Sequence, residues 1–227
     1  LFESQLKVKA IEDNLAAARD AEMLLLSIKP QMAQKVLGEL GQVLSERTLI
    51  ISIMAGIGSA FIEKHLGGGK GWRVIRTMPN TPMLLGEGMV AMSCGANASE
   101  ADLKSARMLF EAAATVIELT EDKMDAVTAV SGSGPAYFFY LVEQLVAAGV
   151  ELGLTQQEAH TLATKTALGA GKMLATSSDS PAELRRKVTS PNGTTHAAIT
   201  HLEQSGAGKQ MVEAVKAAAR RSKQLGL

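Results

Sequence analysis

The chain has 227 residues, 23 of them basic and 23 acidic, and it is 46% apolar but only 4% aromatic. Balanced charge argues against a nucleic-acid or membrane-surface partner. The single cysteine, Cys94, excludes an intrachain disulfide framework and suits a reducing cytosol.

No apolar run is long enough to span a bilayer, and the N-terminus lacks the basic-then-apolar layout of a signal peptide. The first half alternates strand and helix. Asn14 is placed to cap a helix through the Ala-rich Leu15–Asp20. Met23–Ile28 reads as a buried parallel strand ending at Lys29-Pro30. Pro30–Leu40 has helical spacing, with Met32, Val36, Leu37 and Leu40 on one side. Leu49–Ile53 is a second strand, broken by Ala55-Gly56-Ile57-Gly58, and Ser59 is placed to cap a short helix to Leu66. After the glycine-rich loop 67–71, Trp72–Met78 is a third strand, followed by Pro79-Asn80-Thr81-Pro82. Met89–Ser93 and Thr115–Leu119 flank a helix capped by Ser99 with Asp102 three residues on. The alternation predicts a mostly parallel sheet covered on both faces.

After Thr120 the pattern is helical throughout, which sets a boundary between residues 1–120 and 121–227. The central stretch runs from Val130 to Gly153 and opens with Ser131-Gly132-Ser133-Gly134-Pro135. Pro135 suits a first helical position, so free backbone amides are expected at this entrance. From there to Leu152 only Glu143, Gln144 and Glu151 are charged or amide-bearing. That predicts a helix buried on nearly all sides. The plain reading is a core helix; the sharper one adds a subunit interface around it and a ligand at its entrance. Gly153 fits a left-handed stop. Thr155 with Glu158, and Ser180 with Glu183, are capping-box pairs. Thr189–Thr195 is a turn, followed by helices over Thr195–Gln204 and Gln210–Gln224.

In such a sheet, ligands bind beyond the carboxyl ends of the strands. Three loops lie there: Ser27–Pro30, Ala55–Gly58 and Met78–Pro82. Lys29 offers a cation beside a helix start, which also favours an anion, although an exposed Lys is as common. Asn80 between two prolines is, alone, ordinary turn chemistry. The turn Thr189-Ser-Pro-Asn-Gly-Thr-Thr195 places three hydroxyls and a loosened backbone ahead of a helix, suiting a carboxylate or simply a capping turn. His196 and His201 are five apart without acidic or cysteine company, so no metal site is expected. Cys94 reads as a small buried apolar residue. Glu121 and Asp125, four apart, read most simply as a solvated helix start.

Taken together, Ile28-Lys29-Pro30, Met78-Pro-Asn-Thr-Pro82, Ser131-Gly-Ser-Gly-Pro-Ala-Tyr137 and Thr189-Ser-Pro-Asn-Gly-Thr-Thr195 resemble pyrroline-5-carboxylate reductases, over essentially the whole chain and in order. The family pattern has Gly where Asn192 stands, and Asn tolerates left-handed angles. The resemblance implies an α/β Rossmann-type, doubly wound first domain, N-terminally incomplete here, and an all-α dimerisation domain. Dimers of the family often assemble further, commonly into decamers. The implied reaction is hydride transfer from NADPH or NADH to 1-pyrroline-5-carboxylate, giving proline in the cytoplasm. By match, Asn14, Ser27, Ile28, Lys29, Pro30, Ala55, Gly56, Met78 and Asn80 would line the cofactor. Ser190, Gly193, Thr194 and Thr195 would hold the substrate carboxylate and ring nitrogen, with Glu121, Ser131 and Gly132 beside them and Thr195 the catalytic choice. The family's first strand and its glycine-rich pyrophosphate turn have no counterpart after Leu1. A polypeptide starting there would bind cofactor weakly and show little activity. The alternatives are a β-hydroxyacid dehydrogenase, for which Lys165 and Lys172 lack the required surroundings, and a non-catalytic oligomerising remnant.

Overall fold

The computed structural model describes residues 2–226, without the side chain of Phe2. Leu1 and Leu227, the outer limits of the two expected domains, lie outside the described residues. The chain divides into one unit of Leu1–Ser133 with Lys216–Leu227, and a second of Gly134–Val215. The helical stretch from Glu121 to Ser133 therefore belongs with the first unit in this division.

The first unit is built on a five-stranded sheet in consecutive order. After the short helices α1 (Phe2–Leu6) and α2 (Asn14–Ala18), the strands are β1 (Met23–Leu26), β2 (Leu49–Ser52), β3 (Arg73–Met78), β4 (Gly88–Cys94) and β5 (Ala114–Glu118). β1, β2 and β3 pair in parallel, β3 with β4 antiparallel, and β4 with β5 in parallel. Between them run α3 (Ala33–Leu40), α4 (Ser59–His65) and α5 (Glu100–Phe110).

Strands apolar on both faces have two cores to fill. Ile50 and Val74 join α2, α3 and α4 through Ala18, Leu37 and Ile62. Their neighbours Ile51 and Ile75 face the other way, into Leu103, Ala106 and Phe110 of α5. A close approach makes Gly41 necessary: a Cβ there would collide with the main-chain carbonyl of Leu66. The glycine-rich loop 67–71 wraps Trp72, which is fully buried; its indole donates to Gly67 O at 3.2 Å, and Lys70 lies 5.3 Å from the ring centre.

Two expected caps shift by a residue. The cap of α2 is Asp13, whose carboxylate accepts from Leu15 N at 2.8 Å and Ala16 N at 3.3 Å; Asn14 is the first helical residue. Gly58, not Ser59, precedes α4, and the Ser59 hydroxyl is used elsewhere. Pro30–Met32 form a 3₁₀ turn ahead of α3, which turns Met32 out to solvent. Ser99 and Asp102 form the expected capping box on α5. Cys94 is exposed, at the last residue of β4, against the expectation of a buried site.

The second unit is helical. Its elements are α7 (Gly134–Glu151), α8 (Gln156–Thr176), α9 (Pro181–Lys187) and α10 (Thr194–Gln204), preceded in chain order by α6 (Met124–Val127). The last helix, α11 (Ala207–Leu225), begins here and ends in the first unit. Gly153 ends α7 at φ 98°, and both expected capping boxes, Thr155/Glu158 and Ser180/Glu183, are formed. Val146 packs on Ala159 and Ala163 of α8. Phe138, Phe139 and Tyr140 are more than 60% exposed in the single chain. The expectation of a helix buried on nearly all sides therefore fails within one chain, because α8 covers only one side of it.

Candidate active site

Because β1, β2 and β3 run parallel, the loops after them emerge at one edge of the sheet. Ser27 and Lys29 are exposed there, with Ile28 and Pro30 partly so. Ala55 and Gly56 follow β2, and Met78 and Asn80 follow β3. Asn14 is exposed at the start of α2.

The third loop is tied to the Ser-Gly-Ser-Gly-Pro motif by a specific exchange of hydrogen bonds. Glu121–Lys123, α6 and a π-helical turn over Thr128–Gly132 follow one another without a break, and the bend at Ser133 precedes α7. Ser133 N donates to Thr128 O at 2.8 Å. Of the amides expected to be free at the entrance to α7, that of Ser133 is therefore taken up by the preceding turn. Pro135 is the second residue of α7, and the carbonyl four residues before it, on Ser131, cannot receive an N–H from it. Asn80 takes that place, donating from Nδ2 to Ser131 O at 3.1 Å while its Oδ1 accepts from Met89 N at 2.9 Å. The wider turn relieves the clash between the proline ring and that carbonyl. Thr128 and Ser131 donate their hydroxyls back to Met124 O and Val127 O. A Cβ on Gly132 would come within 2.7 Å of Met78 Cε, so Met78 rests directly on the turn. The structure thus brings together Met78, Asn80, Ser131 and Gly132.

Glu121 and Asp125 are not a solvated helix start. Both face the Arg76 guanidinium, at 3.5 Å and 3.7 Å, and Arg76 is 5% exposed. Glu121 also accepts from Ser59 N at 2.6 Å and Ser59 Oγ at 2.5 Å. Asp125 accepts from Ser222 Oγ at 2.7 Å. Sequence spacing missed Arg76, Ser59 and Ser222. The available signal was Arg76 amid Val74, Ile75 and Thr77, past Arg73 at the start of a strand otherwise read as buried, since a buried charge needs partners. Glu63, one turn after Ser59, has its pKa raised by burial and then by Glu121, with the Ala96 N–H opposing.

In the second unit, Ser190, Gly193, Thr194 and Thr195 come together at the start of α10. Asn192 adopts φ 59°, the left-handed angle its position demands. Gly193 N donates to Ser190 O at 3.0 Å, and a Cβ on Gly193 would press on Ser190 Oγ. The first N–H groups of α10 have no carbonyl of their own helix to bond. Among the described residues no group of three metal-ligating side chains occurs.

The comparisons with known proteins decide the family. Residues 121–225 match the model described as pyrroline-5-carboxylate reductase dimerisation, and residues 1–56 match that of NADP oxidoreductase, coenzyme F420-dependent. A pyrroline-5-carboxylate reductase of Pseudomonas aeruginosa is 43% identical over 96% of this chain and 80% of its own length.

The chain belongs to the pyrroline-5-carboxylate reductase family.

Solved structures of the family agree. The reductase from Coxiella burnetii superposes with TM-score 0.88 at 36% identity, over 100% of this chain and 84% of its own. The Plasmodium falciparum reductase, solved with NADP bound, also gives 0.88, at 31% identity over 96% and 82%. Among the described residues no helix is long and apolar enough to cross a membrane.

Proposed function

We propose that the chain reduces 1-pyrroline-5-carboxylate to proline with NADPH or NADH. The observation that carries this reading is the 43% identity to a pyrroline-5-carboxylate reductase across 96% of the chain. The edge of β1, β2 and β3 fits the dinucleotide in kind. Ser27 and Lys29 offer a hydroxyl and a cation for ribose and phosphate, Ile28, Pro30 and Met78 offer apolar surface to flat rings, and Ala55 and Gly56 expose main chain. Asn14 and Asn80 complete this lining. When bound, the dinucleotide supplies the hydride.

The chain's own work is to hold and polarise the imine. Ser190, Gly193 and Thr194 hold the substrate carboxylate through hydroxyls and the open N–H groups of α10. The Thr195 hydroxyl engages the ring nitrogen. A threonine hydroxyl is a poor acid, so it orients the protonated imine or relays a proton through water rather than ionising. Ser131 and Gly132 shape the floor under Met78. Glu121 contributes by fixing the surroundings, since both its oxygens are committed to Ser59 and Arg76.

The active form is a homodimer joined through the helical unit and able to build larger rings such as decamers. The lone cysteine suits residence in the cytosol. The test is oxidation of NADPH and NADH with and without pyrroline-5-carboxylate, with proline quantified. Substrate-dependent proline formation is expected; a folded protein that forms none overturns the reading. Thr195→Ala should lower kcat about a hundredfold with dinucleotide affinity unchanged; parallel loss of both would remove Thr195 from this role.

A further inference from the structure

The loop between β2 and α4 is held from two directions. At its far end, the start of α4 is bound to Glu121 through both Ser59 N and Ser59 Oγ. At its near end, Gly56 has φ 77°, and a Cβ on it would collide with the main-chain carbonyl of Ser222 and come within 2.9 Å of Leu225 Cβ. A Cβ on Gly226 would in turn collide with Gly56 O. Gly56 is therefore glycine because the end of α11 lies against it. Ser222 is itself 2% exposed and donates its hydroxyl to Asp125, which shares Arg76 with Glu121. A single polar cluster thus connects α11, α6, β3 and α4, and the loop spans the gap between its two ends.

We propose that the last turns of α11 are a latch that positions the β2–α4 loop for dinucleotide binding, with Ser222 and Arg76 as its positioning residues. The proposal rests on the assignment of this loop to the cofactor site. Neither residue touches the dinucleotide in this scheme. Ser222 fixes Asp125 and its own carbonyl fixes Gly56. Arg76 holds Asp125 and Glu121 together, and Glu121 holds Ser59. Releasing the latch loosens the loop and weakens dinucleotide binding before it affects the imine site.

The test uses the protein as its gene encodes it. Ser222→Ala removes the hydroxyl donor, and Gly56→Ala drives a methyl against the Ser222 carbonyl. Lys223→Ala, on the exposed side of the same turn, is the control. Hydrogen exchange of the 56–59 amides should quicken about tenfold in Ser222→Ala, and the NADPH dissociation constant should rise about tenfold in both variants. The KM for pyrroline-5-carboxylate and kcat at saturating NADPH should hold in Ser222→Ala, and Lys223→Ala should match the parent. Unchanged exchange overturns the latch. Faster exchange with unchanged NADPH affinity overturns its positioning role, as does an equal rise in both substrates' constants. A parent protein that binds NADPH but yields no proline would overturn the proposed reaction while leaving the latch standing.

Discussion

Arg76 shows what a single side chain can organise. It is buried on β3, its Nε has no hydrogen-bond partner, and it faces two carboxylates from the following helical segment. Arg76→Met would leave Glu121 and Asp125 facing each other without a cation. A fully buried pair broken this way loses about 3–5 kcal/mol, but both carboxylates are about 30% exposed, so about 2 kcal/mol is expected in urea melts. Arg76→Lys should restore part of it. Glu63 makes a second prediction. Its folded pKa is raised above 4.5 by burial and then by Glu121, so the folded state holds the proton more tightly than the unfolded chain does. The charged form therefore costs stability at neutral pH, and the cost fades as pH falls through the raised value. Glu63→Gln should raise Tm near pH 7 and change it little near pH 4; a gain that persists in acid would point to packing instead. The buried arginine was a signal, but its partners were not legible: Glu121 and Asp125 are four apart on any helix, and only the fold brings Arg76 to them.

Among the elements, the strands and most caps were legible because they rest on local signals: apolar runs between turns, and Ser or Thr three residues before an acid. The π turn was not, because Pro135 reads equally as a helix start. What distinguishes the two is whether a distant side chain takes the carbonyl that proline leaves open, and here Asn80 does. Asn80→Ala should cost about 2 kcal/mol by stranding Ser131 O and Met89 N. Pro135→Ala returns an N–H that competes for Ser131 O. Asn80→Ala should therefore cost measurably less in a Pro135→Ala background, and strict additivity would show that the proline plays no part. At the Thr189–Thr195 turn, Asn192→Gly should be nearly neutral in stability. Asn192→Val, β-branched at φ 59°, should lose at least 1–2 kcal/mol and raise the KM for pyrroline-5-carboxylate.

For the molecule as a whole, the sequence revealed that α7 is apolar around its circumference but not which chain covers it. Hydrophobic pattern reports that a surface is buried, never by what. In the single chain Phe138, Phe139 and Tyr140 stand open, inside the segment matching the dimerisation model. Exposed aromatic surface of this size marks an association site. Phe139→Glu should convert the assembly to monomers in size-exclusion chromatography with light scattering, while the far-UV circular dichroism of the sheet and helices is retained. A variant that elutes unchanged would place the interface elsewhere.

The chain leaves the first unit at Ser133 and rejoins it at Lys216. During synthesis, then, the sheet and its loops emerge early, but Asp125 waits 97 residues for Ser222. At about 5–20 residues per second, that is a delay of about 5–20 seconds on the ribosome. The whole second unit is synthesised in that interval. A chain ending before Lys216 would carry every residue of the Thr189–Thr195 turn, yet its Gly56 loop would lack the Ser222 carbonyl and Leu225 that lie against it.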